Sequence, residues 1–211
     1  MKATCNRVWN PVTGVSLLIA GALTFTQPAP AAPPVGDKPP VGKPAPDFTL
    51  PDLDGKEITL SKYKSKFVVL EWFSDECPFV QKHYNSNNMQ SLQSESRKKG
   101  VVWLSICSSG PGKGGFHSNG EHKETLKRWH GHMTNFLVDA DGKVGRIYGA
   151  KNTPTMYIID NEGTLVYEGA IDDKPDTDLD SVKSAKNYVR VALAETMAGK
   201  PVTTSVTKAY G

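Results

Sequence analysis

The sequence predicts an α/β fold in which a central, mainly parallel sheet is covered by helices on both faces and closed by an antiparallel hairpin. Three observations carry this expectation. Residues 67–73 (FVVLEWF) and 101–107 (VVWLSIC) are nearly continuous apolar runs of strand length, the pattern of strands buried on both faces. Stretches with helical apolar spacing separate these runs, and an alternation of strands with helices favours parallel pairing through crossovers. Residues 155–159 and 165–168 flank Asp160-Asn161-Glu162-Gly163, a turn that makes them a hairpin.

The chain has 211 residues, which fits one domain with extensions. Its formal net charge of +3 is spread along the sequence and not gathered into a basic block, so nucleic acid is not an implied partner. Residues 1–31 read as a secretory signal peptide: Lys2 and Arg7 precede an apolar run over 12–25, and Ala29-Pro30-Ala31 offers small residues for cleavage. Thr13, Gly14, Ser16 and Gly21 interrupt that run, which is shorter than the roughly 20 apolar residues of a membrane span. Export to the periplasm or another extracytoplasmic space is therefore expected, with membrane contact only through an uncleaved leader. Cys5 leaves with the leader, and the mature chain keeps Cys77 and Cys107.

Residues 32–46, rich in Pro and Ala, are expected to form an extended, solvated linker ahead of a folded domain over 47–200, with 201–211 as a tail. The first buried strand, 67–73, carries an unusual charge at Glu71. Ser74 to Pro78 then reads as a helix start, with short polar residues near the cap and proline where a missing N–H costs nothing. The helix runs to Tyr84, loosens over 85–88, and resumes from Met89 until Gly100 stops it. A second strand, 101–107, and a Gly-rich loop, 108–120, precede a helix with Leu126, Trp129 and Met133 at helical spacing. Strands at 136–138, 155–159 and 165–168 follow, and the last helix is expected over 184–198.

In an open α/β sheet the reacting group lies beyond the carboxyl ends of the strands, and Cys77 and Cys107 both lie there. A helix N-terminus supplies partial positive charge and free N–H groups that stabilise a thiolate at Cys77, while Asp75 and Glu76 oppose it. Cys107 is either a resolving thiol for Cys77 or a buried small residue. His117, His122, His130 and His132, with His83, invite a metal hypothesis, yet no pair has a compact ligand signature and satisfied histidines are the better reading. The run Asp172, Asp173, Asp176, Asp178, Asp180 lacks the glycine and closing glutamate of an EF-hand and reads as a solvated loop.

The chain resembles the redoxin group of the thioredoxin superfamily, which holds TlpA-type proteins and the AhpC/TSA peroxiredoxins. Four segments carry the resemblance: residues 42–48 with Asp54-Gly55, 68–78, 148–155, and Ile159-Asp160 with Gly163 and Gly169. It implies a thioredoxin-like fold with a cis-proline at Thr153-Pro154 facing Cys77. It also implies site roles. Cys77 matches the first position of a C-x-x-C turn whose second position is Val80, which rules out dithiol exchange within the turn. Ser74 matches the hydroxyl that helps to bind peroxide in peroxiredoxins, though Leu70 stands where their proline would be. Arg146 is the nearest candidate for their pocket arginine. Glu71 falls where thioredoxins keep a buried acid beneath the active site, as a proton relay or as a glutamate paired with a lysine. Phe79, Thr153 and Pro154 would shape substrate binding.

The implied function is that of an exported, cysteine-dependent oxidoreductase acting on a small peroxide or a protein thiol or disulfide, with an external thiol as reductant and no cofactor or metal. The competing expectation is a redoxin-fold binding module for a metal or a partner protein.

Overall fold

The computed structural model describes Met1 and residues 38–211. The leader, Cys5 and linker residues 32–37 lie outside the described residues.

An antiparallel ribbon of β1 (Thr49–Pro51) and β2 (Glu57–Thr59) opens the domain. Then come β3 (Val68–Trp72), α1 (Pro78–Asn85), α2 (Asn88–Lys98), β4 (Val102–Cys107), α3 (Asn119–Arg128) and β5 (Asn135–Val138). The chain closes with α4 (Lys143–Tyr148), β6 (Thr155–Ile159), β7 (Leu165–Gly169) and α5 (Tyr188–Met197). The five-stranded sheet has the order β5-β4-β3-β6-β7, with β3, β4 and β5 parallel and β6 and β7 antiparallel, as the apolar runs and the hairpin turn predict.

Strand β3 is central and buried along its whole length because both sheet faces are covered. Alternate residues feed two cores. Val69 and Phe73 meet Trp103, Tyr84, Met89 and Leu193 on one face. Leu70 and Trp72 meet Leu104, Tyr148 and Tyr157 on the other. Trp103 is fully buried, and truncating a side chain of that size in a packed core costs about 3–5 kcal/mol.

Four expectations are corrected. Residues 38–46 are not a solvated linker. Gly42 N and Ala45 N donate to Leu165 O and Gly163 O, Leu165 N returns a bond to Lys43 O, and Val41 and Ala45 pack on the second core. The Pro-rich stretch thus gains an edge of the hairpin that its composition does not reveal. Helix α3 ends at Arg128, before Met133, because His130 takes a left-handed φ of 50° and turns the chain. Its start is sharper than the sequence reading had it: Ser118 and Glu121 form a reciprocal capping box. The last helix starts at Tyr188, capped by the Asn187 side chain, after a separate 3-10 turn over Asp180–Ser184. The fourth correction is the tail, which packs back on the domain: Glu168 N donates to Ser205 O, and Thr207 N donates to Glu168 O.

Candidate active site

Strand β3 and helix α1 deliver Cys77. Beyond Trp72 the chain makes a turn in which Cys77 N donates to Ser74 O at 3.2 Å, and Cys77 becomes the N-cap of α1 with extended backbone angles of −76° and 122°. Pro78 supplies the first helical position, where its fixed φ suits the helix and its missing N–H is no loss. The thiol is half-buried, and its Sγ donates to Thr153 O at 2.8 Å. The Thr153-Pro154 bond is cis, and this loop, leading into β6, lies against Cys77 as the resemblance implies.

Cys107 is placed differently. It ends β4, on the far side of β3 from β6, and is buried in the first core with Sγ directed at Gly115 O at 3.5 Å. Burial pushes its thiol up from the ordinary value, partly offset by bonds from Ser109. Both cysteines are free and their sulfurs bond to separate partners.

Glu71 is fully buried and has no lysine partner among the described residues. Its carboxylate accepts from Tyr84 Oη (3.0 Å), Gln93 Nε2 (3.1 Å), Trp103 Nε1 (2.7 Å) and Ser105 Oγ (2.6 Å). Desolvation raises its affinity for a proton, and the four bonds oppose that shift. Neutral donors thus stand where one of the two readings of Glu71 puts a lysine, and no bond of this network reaches Cys77.

Ser74 and Arg146 each meet a neighbour other than the thiol. A Cβ on Gly115, whose φ is +74°, would run into the Ser74 hydroxyl, so that hydroxyl packs against the Gly-rich loop. Arg146 is exposed and donates to Asp141 O at 2.9 Å, in the turn that leads into its own helix. Helix α4 itself begins where Val144 N and Gly145 N donate to Asp139, a carboxylate that also accepts from Ser108 Oγ.

Two groups around Cys77 escape the sequence reading. His117 of the Gly-rich loop bonds Asp75 Oδ1 at 3.0 Å, tying that loop to the active-site turn and pairing one of the two acids beside the thiol. On the other side the Tyr210 ring lies against Phe79, tilted by 56° with ring centroids 5.5 Å apart, and bonds His83, whose burial holds its imidazole down to about 4. No spacing in the sequence signals either contact, since the partners lie 42 and 127 residues apart.

Residues 41–168, more than half of the chain, match the AhpC/TSA family. The chain belongs to that family. This AhpC/TSA protein is 27% identical over 128 residues to the thiol-disulfide oxidoreductase ResA of Bacillus thuringiensis subsp. konkukian, covering 61% of this chain and 68% of the relative. It superposes on a hypothetical protein from Sinorhizobium meliloti 1021 with a TM-score of 0.67 and 25% identity, over 82% of this chain and 91% of the other. The thioredoxin domain of a thiol-disulfide oxidoreductase from Bacteroides vulgatus matches with a TM-score of 0.52 and 17% identity, over 70% and 98% of the two chains, a likeness of fold. The fold is thioredoxin-like, and by class the AhpC/TSA protein is a thiol-dependent oxidoreductase. Among the described residues no helix is long and apolar enough to cross a membrane.

Proposed function

We propose that the protein is an exported thiol–disulfide oxidoreductase in which Cys77 is the attacking thiol and an external thiol completes the cycle. The observation that carries this reading is the half-buried Cys77 at the N-cap of α1, with the Thr153 backbone against its sulfur. The Thr153 loop offers main-chain groups to a polypeptide. Similarity to relatives named thiol-disulfide oxidoreductase supports the same reaction. The leader-like residues 1–31 support export.

In the reaction, the Cys77 thiolate attacks one sulfur of a partner's disulfide, and the other sulfur leaves as a thiolate that takes up a proton. An external thiolate then attacks Cys77 Sγ in the mixed disulfide, freeing the partner's second thiol. A second external thiol releases Cys77, so that one partner disulfide and two external thiols become a partner dithiol and one external disulfide. Cys107, turned to Gly115 O with its thiol form favoured by burial, has no part in these steps. Peroxide reduction is the weaker reading, because the Ser74 hydroxyl packs against Gly115 and Arg146 bonds Asp141 O.

The test is reduction of insulin by the purified protein with glutathione as the external thiol. Cys77→Ser is expected to fall to the uncatalysed rate while Cys107→Ser keeps its turnover. Turnover by Cys77→Ser overturns the proposal, and so does faster consumption of hydrogen peroxide than of insulin under the same thiol.

A further inference from the structure

The segment after α5 runs back along β7 and across the site. Its backbone pairs with Glu168, and Thr207 Oγ1 accepts from Ala170 N at 2.9 Å and bonds Tyr167 Oη at 2.7 Å. Gly169 leaves room for Thr207, since a Cβ there would strike it. Farther on, Ala209 O accepts from Asn152 Nδ2 at 3.4 Å, and Gly211 lies directly on the backbone of Thr153. Thr153 O is the group that holds the Cys77 thiol.

Tyr210 is the anchor of this segment. Asn88 Nδ2 donates to His83 Nδ1 at 2.8 Å, which leaves the proton on Nε2, and Nε2 donates to Tyr210 Oη at 3.2 Å. Tyr210 Oη in turn donates to Asp172 Oδ1, which also accepts from Lys174 N. Lys82, fully buried, donates to Lys174 O at 2.6 Å and lies 5.5 Å from the centre of the Tyr210 ring. Asp172 is itself 1% exposed, and its Oδ2 has no partner. Lys82 also pairs with Asp176 Oδ1 at 3.5 Å, so the costly group is the Asp172 oxygen that lacks a partner among the described residues. Withdrawing Tyr210 would let water reach the Asp172 oxygen, while its tilted ring contact with Phe79 and its two hydrogen bonds favour the docked position. Opposed contributions of this kind make an element with two accessible positions.

We propose that residues 205–211 are a strap over the polypeptide-binding face beside Cys77, with Tyr210 as its latch, so that a disulfide-bearing segment of a partner reaches Cys77 only when Tyr210 leaves the His83–Asp172 pocket. The inference rests on the thiol–disulfide reading for the nature of the partner. The partner segment would pair with the same Glu168 backbone and Asn152 amide that the strap uses, as an added strand does at a sheet edge.

The test measures alkylation of Cys77 in the full, reduced chain by two reagents, iodoacetamide and a maleimide carried on a long polyethylene glycol, with the site identified by peptide mass spectrometry. Loss of a hydrogen bond to a carboxylate and of an aromatic contact should raise the rate with the large reagent about 10-fold or more in Tyr210→Ala. The rate with iodoacetamide should stay within about twofold, since a half-buried thiol already admits a small reagent. Tyr210→Phe, which keeps the ring and loses the hydroxyl, should fall between. Thr207→Val, which frees the strap at another point, is expected to act in the same direction and serves if Tyr210→Ala does not fold. An unchanged rate with the large reagent in both Tyr210→Ala and Thr207→Val overturns the strap. Alkylation needs no disulfide exchange, so acceleration with the large reagent without insulin reduction by any variant would sustain the strap and refute the proposed reaction.

Discussion

Leucine in place of Glu71 leaves four donors without their acceptor: Tyr84 Oη, Gln93 Nε2, Trp103 Nε1 and Ser105 Oγ. Gln93 Nε2 keeps Tyr84 Oη at 3.0 Å, so the uncompensated losses fall on Trp103, Ser105 and Tyr84. An orphaned buried donor costs about 1–3 kcal/mol, and removing a buried carboxylate gives part of that back, so Glu71→Leu should destabilise the fold by roughly 3 kcal/mol. Glu71→Gln behaves differently. Its carbonyl can face the three donors that now bond Oε2, and its amide can donate to Tyr84 Oη, so most of the network survives with one amide N–H and the Tyr84 O–H left over. The two variants separate through pH. Burial raises the proton affinity of Glu71 in the fold above that of the unfolded chain. A group shifted in that sense gives its full stabilisation below the unfolded value, near pH 4.5, and loses it as pH rises through the folded value. Glutamine does not titrate. The stability of Glu71→Gln relative to the parent should therefore rise between pH 5 and pH 8, measured by urea unfolding, and contributions from other groups cancel in the difference. A difference that is flat with pH, or a Glu71→Leu variant as stable as Glu71→Gln, would refute this account. The same glutamine variant addresses the relay. If Glu71 only buttresses the sheet, as its separation from Cys77 in the bonding network argues, the pH profile of Cys77 alkylation should not move.

Two further outcomes follow from buried groups near the thiol. His83 is held down from 6.5 to about 4, so the fold keeps it neutral while the unfolded chain takes up a proton. The resulting stabilisation is complete above pH 6.5 and is lost as pH falls through that window. The advantage of the parent over His83→Gln in urea unfolding should shrink by about 2.5 kcal/mol between pH 7.5 and 4.5, and an unchanged advantage would contradict a buried neutral imidazole. Val80 is fully buried three residues after Cys77, at the second position of the turn. Val80→Cys should give, under mild oxidant, a disulfide between Cys77 and the introduced thiol, read by mass spectrometry, because residues three apart at a helix start lie within about the 4.4–6.8 Å that a disulfide spans. Both thiols remaining free would mean that the turn is not arranged as described.

The sheet was legible because its strands write themselves as apolar runs. Residues 67–73 and 101–107 are apolar apart from Glu71 and Ser105, and their length and β-branched content suit buried strands. Cys77 at the N-cap was legible for a local reason too, since Ser74 to Pro78 is a helix start in composition. What escaped is whatever depends on distant partners. Residues 38–46 are proline-rich, and proline is poor in donors, so composition argues for a linker; yet Gly42 and Ala45 retain the N–H groups that meet Leu165 and Gly163. Helix α4 is only six residues long and is started by Asp139, a residue that reads as part of a turn. Met133 keeps helical spacing from Leu126 and Trp129 although the helix has ended, because Gly131 lets the chain fold back and set Met133 beside Leu126. Tyr210 falls in the segment expected only as a tail, and its position over Phe79 and His83 is what marks it out.

The choice between peroxide and disulfide as the oxidant turns on what surrounds one sulfur atom. Peroxide cleavage expels an oxygen anion, which calls for hydroxyl or guanidinium donors converging where that charge develops. Disulfide exchange expels a thiolate, a weaker base that needs less help, but its substrate is a polypeptide and must be laid in place. The hydroxyl of Ser74 is packed against Gly115, and the exposed Arg146 bonds Asp141 O through Nη1. What does face the sulfur is backbone, at Thr153 O, continuous with the Asn152 side chain and the Glu168 edge that the chain's own strap already occupies in extended form. A site that holds an extended segment of its own chain across a thiol has the recognition elements for another such segment. The absence of a second cysteine at Val80 then has a consequence for the cycle: a mixed disulfide at Cys77 has no thiol within its turn to displace it, and its lifetime is set by the external thiol.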